Sequence, residues 1–159
     1  MAALGNSRRA FSPGENSEAI PQLALMRRHT SACDSVEVRL SCVIVDDNLD
    51  FLEAARRLLG GQGIEVVAVA TSGAEGIRQV AASRPDVVLV DVNLGDESGG
   101  DLARRIADSS DTSSTRIVLI STLTEADVIA MLPERVTIPF IAKSDLSASA
   151  IRAAIGLPP

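Results

Sequence analysis

The period of the apolar positions changes repeatedly along this chain. From residue 39 onward, short unbroken apolar runs alternate with segments where apolar residues recur every three or four positions. Ser41–Val45, Ile64–Ala70, Asp86–Val90, Arg116–Ile120 and Val136–Ala142 are of the first kind and read as strands, the last broken by Pro139. Between them, Leu52, Ala55, Leu58 and Leu59 mark a helix over Leu49–Leu59, with Gly60 placed as its C-cap. Ser72 and Glu75 form a capping box. The helix they open lines one face with Ile77, Val80 and Ala81 and stops at Pro85. Further helices are expected over Asp101–Asp108, over Thr124–Leu132 as far as Pro133, and over Ser147–Ile155, closed by Gly156 and Pro158.

Five strands alternating with five helices predict an α/β fold. The strand runs are continuously apolar, as they are when helices cover both faces of a sheet. A parallel α/β sandwich with right-handed crossovers follows. Residues 1–38 differ. They are rich in Ala, Ser, Gly and Pro and hold no sustained period, with only a short helix suggested after Pro21 by Ile20, Leu23, Leu25 and Met26. The expected organisation is a flexible N-terminal extension over 1–38, one domain over 39–157, and no output domain.

Composition narrows the function classes. A 46% hydrophobic chain with mean hydropathy +0.22 is not disordered in composition. No apolar run is long enough to span a bilayer, and the N-terminus lacks the order of a signal peptide. The net charge is −6. In residues 1–38, Arg8, Arg9, Arg27 and Arg28 balance Glu15, Glu18, Asp34 and Glu37, so the acid excess lies in 39–159. An acidic domain without Trp or Tyr has neither the basic stripe nor the stacking surface for nucleic acid. Cys33 and Cys42 fit no metal spacing and are too few for a disulfide framework. Cys42 reads as a small buried hydrophobe, and the expected setting is a reducing cytoplasm.

In parallel α/β sheets the functional crevice lies beyond the carboxyl ends of the strands. Selecting residues by that rule alone returns Asp46 and Asp47 after the first strand, Asp91 after the third, Ser121 and Thr122 after the fourth, and Lys143 after the fifth. Crowded carboxylates raise one another's pKa. A hard divalent cation such as Mg²⁺ relieves this, since it takes oxygen ligands and bridges carboxylates to phosphate. Lys143, the chain's single lysine, supplies a compact positive charge suited to a phosphoryl oxygen. Ser121 can donate a hydrogen bond to a second one. The set is built to hold a metal and a phosphoryl group against a carboxylate.

The segments VIVDDN (43–48), VVLVDVNLGDESGGDL (87–102), RIVLIST (116–122) and FIAKSDL (140–146) resemble the receiver domain of two-component response regulators. The resemblance covers Arg39 to about Gly156. It implies a flavodoxin-like doubly wound (βα)5 sandwich whose five-stranded parallel sheet runs 2-1-3-4-5. It also implies a phosphoryl group taken from a sensor histidine kinase with Mg²⁺, and no enzymatic action beyond the chain's own phosphorylation and dephosphorylation. Carried over position by position, Asp91 is the phosphoacceptor. Asp46 and Asp47 form the acidic pair, Asp47 ahead of Asp46 as direct metal ligand, and Asn93 offers its backbone carbonyl to the metal. Ser121 and Lys143 are the hydroxyl and amine that follow the phosphoryl group, and Phe140 is the aromatic switch. The output is expected on the face made by the fourth helix, fifth strand and fifth helix, acting on a downstream protein or a second copy of the chain. The chain departs from the family at Gly95, where proline is usual, at Pro139, where glycine is frequent, and at Ser144, where proline commonly follows the lysine.

Rival readings stay open at this point. A degenerate receiver would bind proteins without phosphorylation. A phosphatase of the haloacid-dehalogenase type would need a second acid two residues after Asp91, where Asn93 stands. A transcription factor would need a DNA-binding unit. Asp96, Glu97 and Asp101 read as solvated, Asp101 favoured near a helix start.

Overall fold

The computed structural model describes residues 39–109, 112–131 and 137–159. The expectations for residues 1–38 and 132–136 lie outside them. In chain order the elements are β1 (Leu40–Val45), α1 (Leu49–Gly61), β2 (Ile64–Ala70), α2 (Gly73–Ser83), β3 (Val87–Asp91), β4 (Asn93–Leu94), β5 (Glu97–Ser98), α3 (Gly99–Ala107), β6 (Arg116–Ser121), α4 (Glu125–Met131), β7 (Phe140–Ala142) and α5 (Ala148–Ala154). One five-stranded sheet runs β2-β1-β3-β6-β7, every pair parallel. Short β4 and β5 form a separate antiparallel ribbon. With that ribbon set aside, the order is the expected 2-1-3-4-5.

Two apolar layers explain the unbroken runs. Cys42 and Ile44 of β1 pack with Leu52, Ala55 and Leu59 of α1 and Ile151 of α5. The alternate residues Val43 and Val45 pack with Val80 of α2, Leu102 and Ile106 of α3, and Val128 of α4. Successive strand residues therefore bury against opposite helix layers. The Cys42 thiol is enclosed, and burial pushes its pKa up to about 12, so it is chemically quiet.

Several boundaries move. The strand expected at Asp86–Val90 is Val87–Asp91, and that expected to end at Ile120 includes Ser121. Asp86 stands before the strand, where its carboxylate accepts from the Ser41 backbone N–H and hydroxyl. The first helix continues through Gly60 to Gly61, and the positive φ falls at Gly63. The capping box is half formed: the Ser72 hydroxyl accepts from the Glu75 N–H, but the Glu75 carboxylate turns to the Thr71 backbone N–H. The last strand begins only at Phe140. Pro139 has no N–H for the ladder, though its carbonyl accepts from Leu119. The β4–β5 ribbon was not anticipated. Its turn places Gly95 at φ +62, a conformation closed to proline, so the departure from the family at this position is a different turn.

Gly99 opens α3 with its N–H on the Val92 carbonyl, and a Cβ there would overlap the Asp91 carbonyl oxygen. Gly99→Ala should therefore cost about 1–3 kcal/mol of stability, the usual range for overpacking. Urea denaturation measures it. A variant as stable as the parent, with unshifted Asp91 and Val92 amide resonances, would contradict the contact.

Candidate functional site

Register brings the chemistry to one edge. Val45 pairs with Val90, so the next residues, Asp46 and Asp91, lie side by side. Asp91 pairs with Ile120 on β6, and Ser121 pairs with Ala142 on β7, which Lys143 follows in a single 3-10 turn over Lys143–Asp145. Asp46, Asp91, Ser121 and Lys143, four residues from four segments, thus come to the carboxyl end of the sheet. Asp91 and Ser121 are the terminal residues of their strands rather than the first residues beyond them.

Asp46 is fully buried, and its Oδ1 accepts from the Asn48 backbone N–H at 2.9 Å. The Lys143 ammonium lies 2.6 Å from Asp46 Oδ2, an ion pair off the line of a hydrogen bond, which leaves that oxygen without a hydrogen-bond partner. The same ammonium is 3.2 Å from Asp91 Oδ2. Asp47 is exposed, yet carboxylate oxygens of Asp46, Asp47 and Asp91 all lie within 4.8 Å of one another. The Lys143 Nζ also sits 4.4 Å from the centroid of the Phe51 ring.

Burial raises the Asp91 pKa above its ordinary value, and the neighbouring Asp46 charge adds to the rise. Lys143 and the Asn93 backbone N–H oppose it without cancelling it. One ammonium faces three carboxylates, so the pocket carries an excess of negative charge and a set of hard oxygen donors. That donor set suits Mg²⁺.

Ser121 is buried, and its Oγ accepts from the Leu123 N–H at 3.1 Å, a bond that does not use its own hydroxyl proton. Thr122, its partner in the sequence reading, is exposed. Asn93 is exposed in β4, opposite Ser98. Phe140 is half-buried against the layer of α2, α3 and α4 and borders a groove of about 580 Å³ shared with Thr124, Asp145 and Ala150. Glu97, expected to be solvated, is half-buried and pairs with Arg105 at 2.6 Å. Sequence reasoning overlooked Phe51 and Gly99. The signal for Gly99 was a glycine pair at a helix start, and for Phe51 an aromatic one turn from the acidic pair.

Comparison with known proteins gives a consistent result. A family model described as the response regulator receiver domain matches residues 42–155. The signal receiver domain of the response regulator NarL from Mycobacterium tuberculosis is similar in structure, with TM-score 0.62 and 25% identity over 74% of this chain and 94% of that one. The response regulator domain of Thermotoga maritima CheB shares the fold, with TM-score 0.59 and 23% identity over 76% of this chain and 99% of that one. Among curated proteins, a protein-glutamate methylesterase/protein-glutamine glutaminase of Geobacter sulfurreducens is 28% identical over 106 residues, 66% of this chain and 28% of its own length. The acid tolerance regulatory protein ActR of Sinorhizobium medicae is 32% identical over 93 residues, 58% of this chain and 46% of its own length. The chain spans less than half the length of these curated relatives.

The raised Asp91 pKa has a consequence for stability. The folded state binds this proton more readily than the unfolded chain, so the ionised group costs stability above the folded pKa and the cost fades as pH falls toward the ordinary 3.8. In chelator-treated buffer, Asp91→Asn should melt above the parent at neutral pH, and the gap should narrow on acidification. Thermal melts across that range decide; an Asn variant melting below the parent at neutral pH would show that Asp91 is not strained by its surroundings.

Proposed function

Because the chain belongs to the response regulator receiver domain family, we propose that it takes a phosphoryl group from a sensor histidine kinase onto Asp91 and thereby alters a protein-binding face. The observation that carries the assignment is the cluster itself: three carboxylates within 4.8 Å, with Lys143 at 2.6 and 3.2 Å from two of them.

Phosphoryl transfer asks the protein mainly for position and charge neutralisation. An Asp91 carboxylate oxygen attacks phosphorus; the P–O bond forms as the P–N bond to the kinase histidine breaks, and the imidazole nitrogen leaves with the electron pair. Lys143, already 3.2 Å from Asp91 Oδ2, balances charge on the transferred oxygens. Ser121 donates its hydroxyl proton to one of them. Mg²⁺ held by Asp46, Asp47, Asp91 and the Asn93 carbonyl would neutralise the remainder. The chain promotes its own phosphorylation and dephosphorylation only. An aspartate-based phosphatase would need an acid two residues beyond Asp91, and Asn93 supplies none.

New charge on Asp91 draws Ser121 toward it, and Phe140 follows across the groove it borders. The face of α4, β7 and α5 changes shape and acts on a downstream protein or a second copy of the chain. No nucleic acid or membrane is involved in this reading. Among the described residues, no helix is long and apolar enough to cross a membrane. We place the receiver at 39–157, with 1–38 as an extension, and its action in the cytoplasm.

With Mg²⁺ and a phosphorylated kinase or acetyl phosphate, the parent should gain acid-labile phosphate and Asp91→Asn should gain none. Label on the Asn variant would remove Asp91 from the role, and none on the parent would favour the degenerate receiver. Asp47→Ala should bind Mg²⁺ at least about tenfold more weakly, since losing even an outer partner of a metal site costs that much. Beryllofluoride, a phosphoryl mimic, should shift amide resonances on the α4, β7 and α5 face; shifts confined to the pocket would count against the switch.

A further inference from the structure

We propose that Phe51 is a positioning residue for Lys143, its ring holding the ammonium between Asp46 and Asp91. The use of that position in phosphoryl transfer rests on the function proposed above; the contact itself does not.

The ammonium has three kinds of neighbour: Asp46 Oδ2 at 2.6 Å, Asp91 Oδ2 at 3.2 Å, and the Phe51 ring with its centroid at 4.4 Å. A cation at that separation is attracted by the face of an aromatic ring. The ring is itself fixed in two ways. It is half-buried against the apolar layer of α1 and α5. Its residue also sits in the first turn of α1, where the Phe51 N–H donates to the Asn48 side-chain oxygen at 3.1 Å. Asn48 in turn donates its backbone N–H to Asp46 Oδ1 at 2.9 Å. The contacts close on themselves, from Asp46 through Asn48 and Phe51 to Lys143 and back to Asp46. The loop that carries the acidic carboxylates therefore also carries the surface against which the lysine rests.

The chemistry explains why a ring serves here. Lysine is a strongly hydrated charge on a flexible stem, yet the Lys143 side chain is only 12% exposed. A carboxylate or amide at position 51 would compete for the ammonium protons and draw it away from Asp91. An aliphatic residue would exclude water but attract nothing. The ring attracts the charge without accepting a strong hydrogen bond, so the protons stay directed to carboxylate and phosphoryl oxygens. The plainer alternative is that Phe51 only fills space beside the core, and the test has to separate packing from attraction.

The chain's single lysine makes the contact readable. With lysine labelled by ¹³C in the full-length protein, the Lys143 Hε protons should resonate upfield of free lysine in the ring current of Phe51. Phe51→Leu should abolish that shift and Phe51→Tyr should keep it. In phosphorylation by acetyl phosphate with Mg²⁺, Phe51→Leu should be slower by roughly three- to thirtyfold, the worth of such a contact expressed as a rate. Phe51→Tyr should stay near the parent. A trifluorinated phenylalanine introduced at 51 keeps a ring and an apolar surface but has an electron-poor face, and it should fall with the leucine variant. Free-lysine shifts in the parent, parental rates in Phe51→Leu, or parental rates with the fluorinated ring would overturn the proposal. Should the leucine variant not fold, the parent shift and the tyrosine and fluorinated proteins still decide. A parent that takes up no phosphate would defeat the proposed function, while the proton shifts would still decide the Phe51 contact.

Discussion

A half-buried ammonium between two buried carboxylates is the contact to which the rest of the molecule is fitted. Removing an ion from water costs several kcal/mol even after relaxation, and mutual attraction repays it only with good geometry. Lys143 lies 2.6 Å from Asp46 but off the line of a hydrogen bond, Asp91 at 3.2 Å shares the same charge, and Asp47 adds a third carboxylate. Ionised Asp91 is therefore unfavourable in the isolated fold, as its raised pKa expresses. The pocket's groups stay together because the surrounding structure leaves them no other place.

That compulsion comes from the sheet. Ile44, Leu89, Leu119 and Ile120 are almost wholly enclosed, and neighbouring strand residues bury into opposite helix layers. A slip of one residue would turn each apolar side chain to the wrong layer and move Asp91 to the opposite face. The register that satisfies both cores is the register that sets Asp46 beside Asp91 and Ser121 beside Ala142. Core packing and site geometry are one constraint expressed at two places along the same strands.

This is why so much was legible in the sequence. Apolar runs locate strands, strands in a parallel sheet locate their carboxyl ends, and those ends held the charged residues. The errors have equally physical origins. Asp91 and Ser121 belong to their strands because backbone pairing is indifferent to side-chain polarity, whereas an apolar run stops at the first polar residue. The β4–β5 ribbon has two residues a side, too short to show a period. Glu75 turned from its expected capping partner to Thr71, whose backbone N–H and hydroxyl both donate to one of its carboxylate oxygens. Phe51 was invisible because its significance depends on Lys143, which only the fold brings near.

The pocket has a firm side and a yielding side. On the firm side, Asp46, Asn48, Phe51 and Lys143 form a closed set of contacts rooted in β1 and α1. On the other, the turn bearing Asn93 and Gly95 is tied down by Glu97, whose carboxylate occupies the space beside Gly73 at the start of α2 and pairs with Arg105. That pair is partly exposed, and such pairs contribute about 0–1 kcal/mol. The Ser121 backbone is held in the β6–β7 pairing, but its hydroxyl oxygen meets the local Leu123 N–H. A phosphoryl charge on Asp91, as proposed, would therefore meet contacts that close on themselves beside β1 and, after β3, a turn held by a partly exposed ion pair. Under the proposed function, that asymmetry would direct the response away from the acidic pair and toward Phe140.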